Sequence, residues 1–262
     1  MHIVVCVKQV PDTTDVRINP ETNTLMRDGV ASILNPFDAY AVEEAIRLKE
    51  RTGEGKVTVL SMGPAQAESM LRDCIAVGAD EAILLSDRAF AGADTLATSL
   101  ALVLALKKLN PDLVICGKQA IDGDTAQVGP GMARILDWPQ ACYVSKVTDF
   151  AKDKMTVECL MDSGRETLEV ALPAVMTVVK DINEPRLPSL KGKMKAKKAE
   201  ITIWKASDVD GDPEKLGLNG SPTSVMKVFS PPRRSGGEVV TGETPQEQAK
   251  NLVQKLKEAQ VI

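Results

Sequence analysis

"DLVICGKQAIDGDTAQVGPGMARIL", residues 112–136, is the stretch whose reading decides the fold. An apolar, β-branched run at 112–117 leads into a loop with glycines at 117, 123, 129 and 131, and a helical pattern, "MARIL", follows. A continuously apolar strand, a glycine-bearing turn and a helix in that order form part of a β-α-β unit. The same alternation fills the upstream chain. Strands are predicted over 2–10, 56–63 and 81–86, and helices over 38–53, 64–80 and 94–110. Gly53 ends the first helix, and Pro64 stands at the first position of the second, where no amide proton is needed. The fold class predicted is α/β, a doubly wound, mostly parallel sheet with helices on both faces.

After about residue 140 the rhythm changes. Apolar residues alternate around polar turns through "KVTDFAKDKMTVECLMDSGRETLEVALPAVMTVVKD", residues 146–181, the pattern of added antiparallel hairpins. The stretch 183–200, "NEPRLPSLKGKMKAKKAE", holds two prolines and, in "KGKMKAKK", five lysines. It reads as the start of a long, extended C-terminal arm over 186–262. Its segment 186–240 is too polar to build a core alone and is expected to pack on a partner subunit. Thr244, Pro245 and Glu247 start a terminal helix over about 245–259. The expected division is therefore a nucleotide-binding α/β domain at 1–185 and an arm at 186–262.

Composition narrows the function. Aromatics are 3% of the chain and the net charge is −4, which disfavours a base-stacking platform or a basic track for nucleic acid. No apolar stretch has the length of a membrane span. Positions 1–10 lack a basic leader and a small-residue cleavage site, so no signal peptide is expected. The five cysteines are scattered and never form a CxxC pair, so no metal site is expected and a reduced, cytoplasmic protein is. The single histidine, His2, lies at the N-terminus and leaves no Ser-His or Cys-His couple elsewhere. No catalytic side chain is assigned.

In an open parallel sheet ligands bind beyond the carboxyl ends of the strands. Here those ends are 6–12, 62–64, 85–87 and the loop from 117. Gly117 is expected to let the backbone pass close to a ligand, and Gly123, Gly129 and Gly131 to permit positive φ or close approach. Asp124 or Thr125 is read as the cap of the next helix, whose free amide protons suit a phosphate or pyrophosphate. Pro130 fits a first helical turn, which allows that helix to start as late as Gly129. The loop is neither GxGxxG nor GxxxxGKS, which disfavours phosphate transfer. A ligand-free β-to-α turn explains the same spacing.

Several collinear stretches together resemble the β subunit of electron transfer flavoproteins: "VKQVPDT", "NPFDAYAVEEAIRLKE", "GKQAIDGDTAQVGP", "DWPQ", "DSGRETLEVALPAVMTV" and "NEPRLPSLKGKMKAKK". The resemblance implies a Rossmann-like domain of the adenine-nucleotide-binding type. It also implies a heterodimer with an α subunit that carries FAD. In ordinary members the β subunit holds AMP, a structural ligand. In electron-bifurcating members it holds a second FAD that accepts hydride from NADH. The electrons then divide between an acyl-CoA dehydrogenase and a low-potential acceptor such as ferredoxin or flavodoxin. Gly123, Thr125 and "VGP" at 128–130 resemble the bifurcating group, so FAD is expected over AMP. The assembled complex would then oxidise NADH.

The resemblance carries cofactor contacts onto Cys6, Asn35, Pro36, Phe37, Asp38, Met62 and the run Cys116, Gly117, Lys118, Gln119, Ala120, Ile121, Asp122, Gly123, Asp124, Thr125, Ala126, Gln127, Val128 and Gly129. Asp38 is read equally as a helix cap, Met62 as a core methionine, Cys6 as an inert buried thiol, and Lys118 as a phosphate partner or a solvated lysine. Thr125 and Gln127 are the preferred side-chain phosphate donors. Leu190 matches the family's docking leucine, with Arg186, Lys191 and Lys193 as steering charges. A soluble lysine-rich loop is the plain alternative. A reading from another class is a stand-alone adenine-nucleotide-binding regulatory module, which the long arm opposes.

Overall fold

The computed structural model of the chain describes residues 1–12, 31–226 and 236–262. The chain divides into two units, Met1–Met226 and Lys227–Ile262.

In the first unit one nine-stranded sheet is built from β1 (His2–Cys6), β4 (Lys56–Met62), β5 (Glu81–Leu85), β6 (Leu113–Gly117), β7 (Gln140–Phe150), β8 (Lys154–Met161), β9 (Gly164–Ala171), β10 (Ala174–Val178) and β11 (Thr202–Trp204). A separate antiparallel pair joins β2 (Gln9–Pro11) to β3 (Ser32–Leu34). The order across the large sheet is β11-β5-β4-β1-β6-β10-β7-β8-β9. Every pairing from β11 to β7 is parallel, and β7-β8 and β8-β9 are antiparallel. The helices α1 (Pro36–Thr52) and α2 (Glu68–Val77) cover one face, and α3 (Thr95–Leu109) and α4 (Val128–Leu136) the other. This is the doubly wound α/β architecture expected.

Local chemistry sets the helix ends. Gly53, at φ 72, closes α1 by donating its N–H to the carbonyls of Lys49 and Glu50. Asp94 caps α3 by accepting the N–H of Ala97 at 3.0 Å. Apolar residues on alternate positions of β1 divide between the two faces: Ile3 and Val5 join the core under α1 and α2, and Val4 and Cys6 the core under α3 and α4.

Five expectations are corrected. The run 2–10 is two strands, because the chain leaves the sheet after Cys6 and Gln9–Pro11 pairs with β3 instead. The helix expected at 64–80 is a short 3₁₀ turn at Ala65–Ala67 followed by α2, and Gly78 at φ 138 ends α2 after Val77. Neither Asp124 nor Thr125 caps α4, because Gln127 occupies the N-cap position and α4 starts at Val128. The segment "AVMTV" is not part of a hairpin. It is buried at all five positions and inserts in parallel between β6 and β7, as a strand covered on both faces must.

The fifth correction concerns the arm. Residues 190–198 form a helix, α5 (Leu190–Lys198), which lies on α2. Arg72 of α2 donates to the carbonyls of Ala196 and Ala199, both at 2.8 Å, and Ala196 is buried. Gly192 sits so close to α2 that a Cβ there would lie 2.0 Å from the carbonyl oxygen of Ala76. The next segment supplies β11, the sheet edge beside β5, and buries Ala206, Val209 and Leu216. Polar composition hid these anchors because so few apolar residues are needed when the core already exists. The part of the expected arm at 227–235 lies outside the described residues.

The second unit contains α6 (Pro245–Glu258). Thr244 caps it by accepting the N–H of Glu247, as expected from the sequence, and the Glu247 carboxylate accepts the N–H of Glu243, one residue before the cap whose own N–H a reciprocal capping box would use. Among the described residues no helix is long and apolar enough to cross a membrane.

Candidate functional site

Strand order reverses beside β1: the chain builds outward through β4 and β5, then returns to place β6 on the other side of β1. The carboxyl ends of these strands open into a cleft of about 680 Å³. Such a crevice is where open α/β sheets bind ligands.

Two side chains from the start of α1 hold the cleft's main-chain walls together. Asp38 accepts the N–H of Lys8 at 2.7 Å and that of Gly117 at 3.2 Å, so it ties the segment after β1 to the end of β6. Asn35 donates to the carbonyl of Gln119 at 2.9 Å and accepts the N–H of Ile121 at 3.1 Å, which fixes the loop after β6. Asp38 is fully buried. Burial pushes its carboxyl up to about 7, against hydrogen bonds from Asn35, Lys8 and Gly117 that favour the charged form. Its role is therefore to join two strand ends. A cap would face the first amides of its own helix.

The loop itself is braced at both ends. Lys8 Nζ lies 2.6 Å from Asp122 Oδ1, and the Gln119 side-chain amide donates to Asp124 Oδ1 at 2.6 Å. Asp124 (φ 52) and Ala126 (φ 54) occupy left-handed conformations, and Gln127 is right-handed at φ −113, ψ −3. A left-handed residue followed by a right-handed one turns successive main-chain N–H groups toward one side, a concavity for anions. Here it opens at the N-terminus of α4, where the helix dipole adds to it.

The glycines serve a different purpose from the one expected. Gly117, Gly129 and Gly131 have no positive φ. Added Cβ atoms would lie 2.4 Å from Asp38 Oδ1, 2.5 Å from Thr177 Cγ2 and 2.6 Å from Ser99 Oγ, respectively. These three glycines let parts of the chain meet each other. Gly123 alone has open space where a Cβ would go and ordinary backbone angles.

Of the sequence-predicted contacts, Cys6, Asn35, Asp38, Met62, Cys116–Ala120 and Asp122–Gly129 all line this one cleft. Pro36, Phe37 and Ile121 do not. Pro36 begins α1, the main chain of Phe37 packs on Gly117, and Ile121 faces outward. Cys6 and Cys116 are register partners in β1 and β6. The hydrogen bond with Cys6, then burial, pushes the Cys116 thiol up, which fits an inert pair. The Lys118 ammonium lies over the Tyr143 ring, 5.5 Å from its centre.

Sequence reasoning missed Lys8, Ser61, Phe90, Asp94, Thr95, Thr98 and Thr223, which also line the cleft. Ser61 and the Thr95–Thr98 turn sit at strand and helix ends that the parallel-sheet rule could have flagged. Thr223 arrives from more than a hundred residues away, because Asp94 accepts its hydroxyl at 2.8 Å and its N–H at 3.1 Å. No local pattern announces that contact.

An electron transfer flavoprotein domain matches residues 22–209. The chain belongs to the electron transfer flavoprotein family. It is 53% identical to an electron transfer flavoprotein subunit beta of Thermoanaerobacterium thermosaccharolyticum, over the full length of both chains. It is 52% identical to the caffeyl-CoA reductase-Etf complex subunit CarD of Acetobacterium woodii, again over the full length of both. Protein FixA of Azotobacter vinelandii is 48% identical, with 97% of this chain and 92% of that one covered. It is thus an electron-transfer protein of the beta-subunit type.

In this electron transfer flavoprotein chain the lysine-rich segment presents an apolar ridge. Leu187, Leu190 and Met194 are exposed, and Lys191 and Lys193 stand beside them in solvent. Arg186 points the other way. Its guanidinium pairs with Glu43 at 2.8 Å and with Glu50 at 2.6 Å, both on α1. Burial raises the Glu43 carboxyl, but bonds from Arg186 and Arg47 outweigh it and hold that group below its usual range. Arg186 therefore fastens the root of the ridge to the domain.

Proposed function

We propose that this chain is the β subunit of a heterodimeric electron transfer flavoprotein of the bifurcating type, with FAD in its cleft. NADH is the electron donor. An acyl-CoA dehydrogenase and a low-potential acceptor such as ferredoxin or flavodoxin receive the electrons. The observation that carries this reading is the reach of the cleft. It starts at the anion-binding concavity over α4 and continues across β1 and β4 to Phe90, Asp94 and Thr95 beyond β5. Crossing from β6 to β5 takes three strand spacings, about 14 Å. That length suits a dinucleotide better than a mononucleotide. The presence of a relative named as part of a caffeyl-CoA reductase-Etf complex agrees with an acyl-CoA-type partner.

When bound, the flavin supplies the hydride and electron chemistry. The chain's own residues bind, orient and exclude water. The main-chain N–H groups of Thr125–Val128 seat the diphosphate, the Asp124 N–H being donated to the carbonyl of Ala120, with Thr125 and Gln127 adding side-chain donors. Asn35 and Asp38 keep that loop and the end of β1 in fixed relation. Leu190 anchors the dehydrogenase, and Lys191 and Lys193 steer its approach. The α subunit completes the complex, and the residues of 183–200 form the surface that meets the dehydrogenase.

The test is an anaerobic titration of the assembled heterodimer with NADH, followed by visible absorbance. Two flavins per heterodimer bleach under this reading. Failure of NADH to reduce any flavin refutes it and favours the ordinary member with structural AMP, which uses the same phosphate seat.

A further inference from the structure

α5 is a helix with little stability of its own. It has nine residues, below the length at which an isolated helix persists in water. Its lysines repel one another at four-residue spacing, Lys191 with Lys195 and Lys193 with Lys197. Ser189 caps its start by accepting the N–H of Gly192 at 3.0 Å. Its far end depends on α2. The carbonyls of a last helical turn lack regular partners within the helix. Here one guanidinium serves that end. Arg72 Nη1 donates to the carbonyls of Ala196 and Ala199, both at 2.8 Å, while its Nη2 pairs with Glu68 at 2.6 Å. Lys195 adds a bond to the carbonyl of Ala79 at 3.0 Å.

This fastening fixes which way the ridge points. Gly192 makes the close approach to α2, and Ala196, four residues on, is the buried residue of α5. Leu190 and Met194 lie two positions from them, about 200° around the helix, and are exposed. Holding one side of α5 on α2 therefore presents the other side to solvent as a fixed apolar pair. The seat at Gly192 admits no side chain, since a Cβ there would collide with the Ala76 carbonyl and push α5 away. A ridge ordered beforehand docks without the entropy cost that a frayed lysine-rich segment would meet on binding.

We propose that Arg72 is a positioning residue for dehydrogenase docking: from α2, outside the ridge, it holds α5 in the orientation that presents Leu190. This rests on the reading that the ridge meets the dehydrogenase. The test follows electron transfer from the assembled, flavin-loaded heterodimer to a purified acyl-CoA dehydrogenase of the same organism, with the dehydrogenase concentration varied. Arg72→Ala should raise the KM for the dehydrogenase by about 3-fold to 10-fold, the cost of ordering the segment at the moment of binding, with kcat and flavin content unchanged. Gly192→Ala alters no charge and should give the same signature, which separates misplacement of the ridge from lost electrostatic steering. In a Leu190→Ala background, Arg72→Ala should add less than about 2-fold, because it acts through the side chain already removed. An unchanged KM in Arg72→Ala would overturn the proposal, as would an effect absent from Gly192→Ala or equally large without Leu190. A fall in kcat or flavin content in place of the KM change would also overturn it. If Leu190→Ala alone leaves the KM unchanged, or the parent passes no electrons to the dehydrogenase, the docking reading fails and the proposal with it, an outcome distinct from the others.

Discussion

Asp38 and Gly117 are joined by a buried hydrogen bond of 3.2 Å from the glycine N–H to the carboxylate, although they lie 79 residues apart. The other oxygen of Asp38 accepts the N–H of Lys8. One side chain thus sets the separation of the β1 and β6 ends between which the ligand must fit. Glycine is required at 117 because a Cβ there would overlap both Asp38 and the main chain of Phe37.

The Asp38 carboxyl makes stability fall with pH in a definite window. Its folded-state pKa is raised from 3.8 to about 7, so the folded chain holds a proton that the unfolded chain releases. The contribution is fully present below the unfolded value and is lost as pH rises through about 7, by roughly 1.4 kcal/mol for each unit between the two values. Urea unfolding of the parent and of Asp38→Asn at a series of pH values from 4 to 8 checks this. The parent should lose stability relative to the variant across the window. A flat difference contradicts the assignment.

Asp38→Ala removes both acceptors and leaves the N–H groups of Lys8 and Gly117 unpaired. The cost is about 2–6 kcal/mol in unfolding free energy, since each of the two buried unpaired groups costs about 1–3 kcal/mol. Nucleotide retention through gel filtration should fall with it.

Arg186 and Glu43 give a pH dependence of opposite sign. The Glu43 pKa is lowered from 4.5, so its contribution is present above the unfolded value and is lost as pH falls through the folded one. Arg186→Ala should lower stability by about 1.5–3 kcal/mol, the range for hydrogen bonds to charged groups. It should also flatten the acid limb of the stability profile. Arg186→Lys should recover only part, because one ammonium cannot serve both Glu43 and Glu50 in the forked manner.

Gly123 separates folding from binding. An added methyl meets nothing within the chain, so Gly123→Ala should change stability by less than about 0.5 kcal/mol. If the loop's main chain touches the phosphates, the same change weakens nucleotide binding. Thermal melting and equilibrium dialysis on one preparation measure both. Unchanged affinity would remove Gly123 from the ligand surface.

Leu190→Ala removes an exposed side chain and should leave the melting temperature of the chain unchanged. Electron transfer to the dehydrogenase, measured by stopped flow, should slow by at least about tenfold, the loss of one interface hot spot of about 1.4 kcal/mol or more. Equal rates would show that the ridge docks nothing.

The parts of the fold legible in the sequence were those set by local rules. β6 and its glycine loop were visible because a parallel strand buried on both faces is a short continuous apolar run. Gly53 and Thr244 marked helix ends through capping chemistry. The segment "AVMTV" went the other way. Its pairing in parallel with β6 and β7 depends on strands 60 and 35 residues distant in sequence, and neighbouring hairpins outweighed its own apolar continuity. α5 was hidden by its five lysines, since Ala196 is its one buried residue and the small Gly192 makes its close approach to α2. At the site, the loop was legible because its residues are contiguous. Thr223 and Lys8 were not, because a remote Asp94 positions one and an ion pair with Asp122 the other. The glycines were singled out correctly as positions of close approach, but three of them meet the chain itself, a distinction that only tertiary packing reveals.

The central claim is that the cleft at the ends of β1, β4 and β6 holds a full FAD. Acid extraction of the purified heterodimer, with chromatographic quantitation of the released nucleotides, tests it most directly. The account predicts two FAD and no AMP per heterodimer. One FAD with one AMP would contradict it.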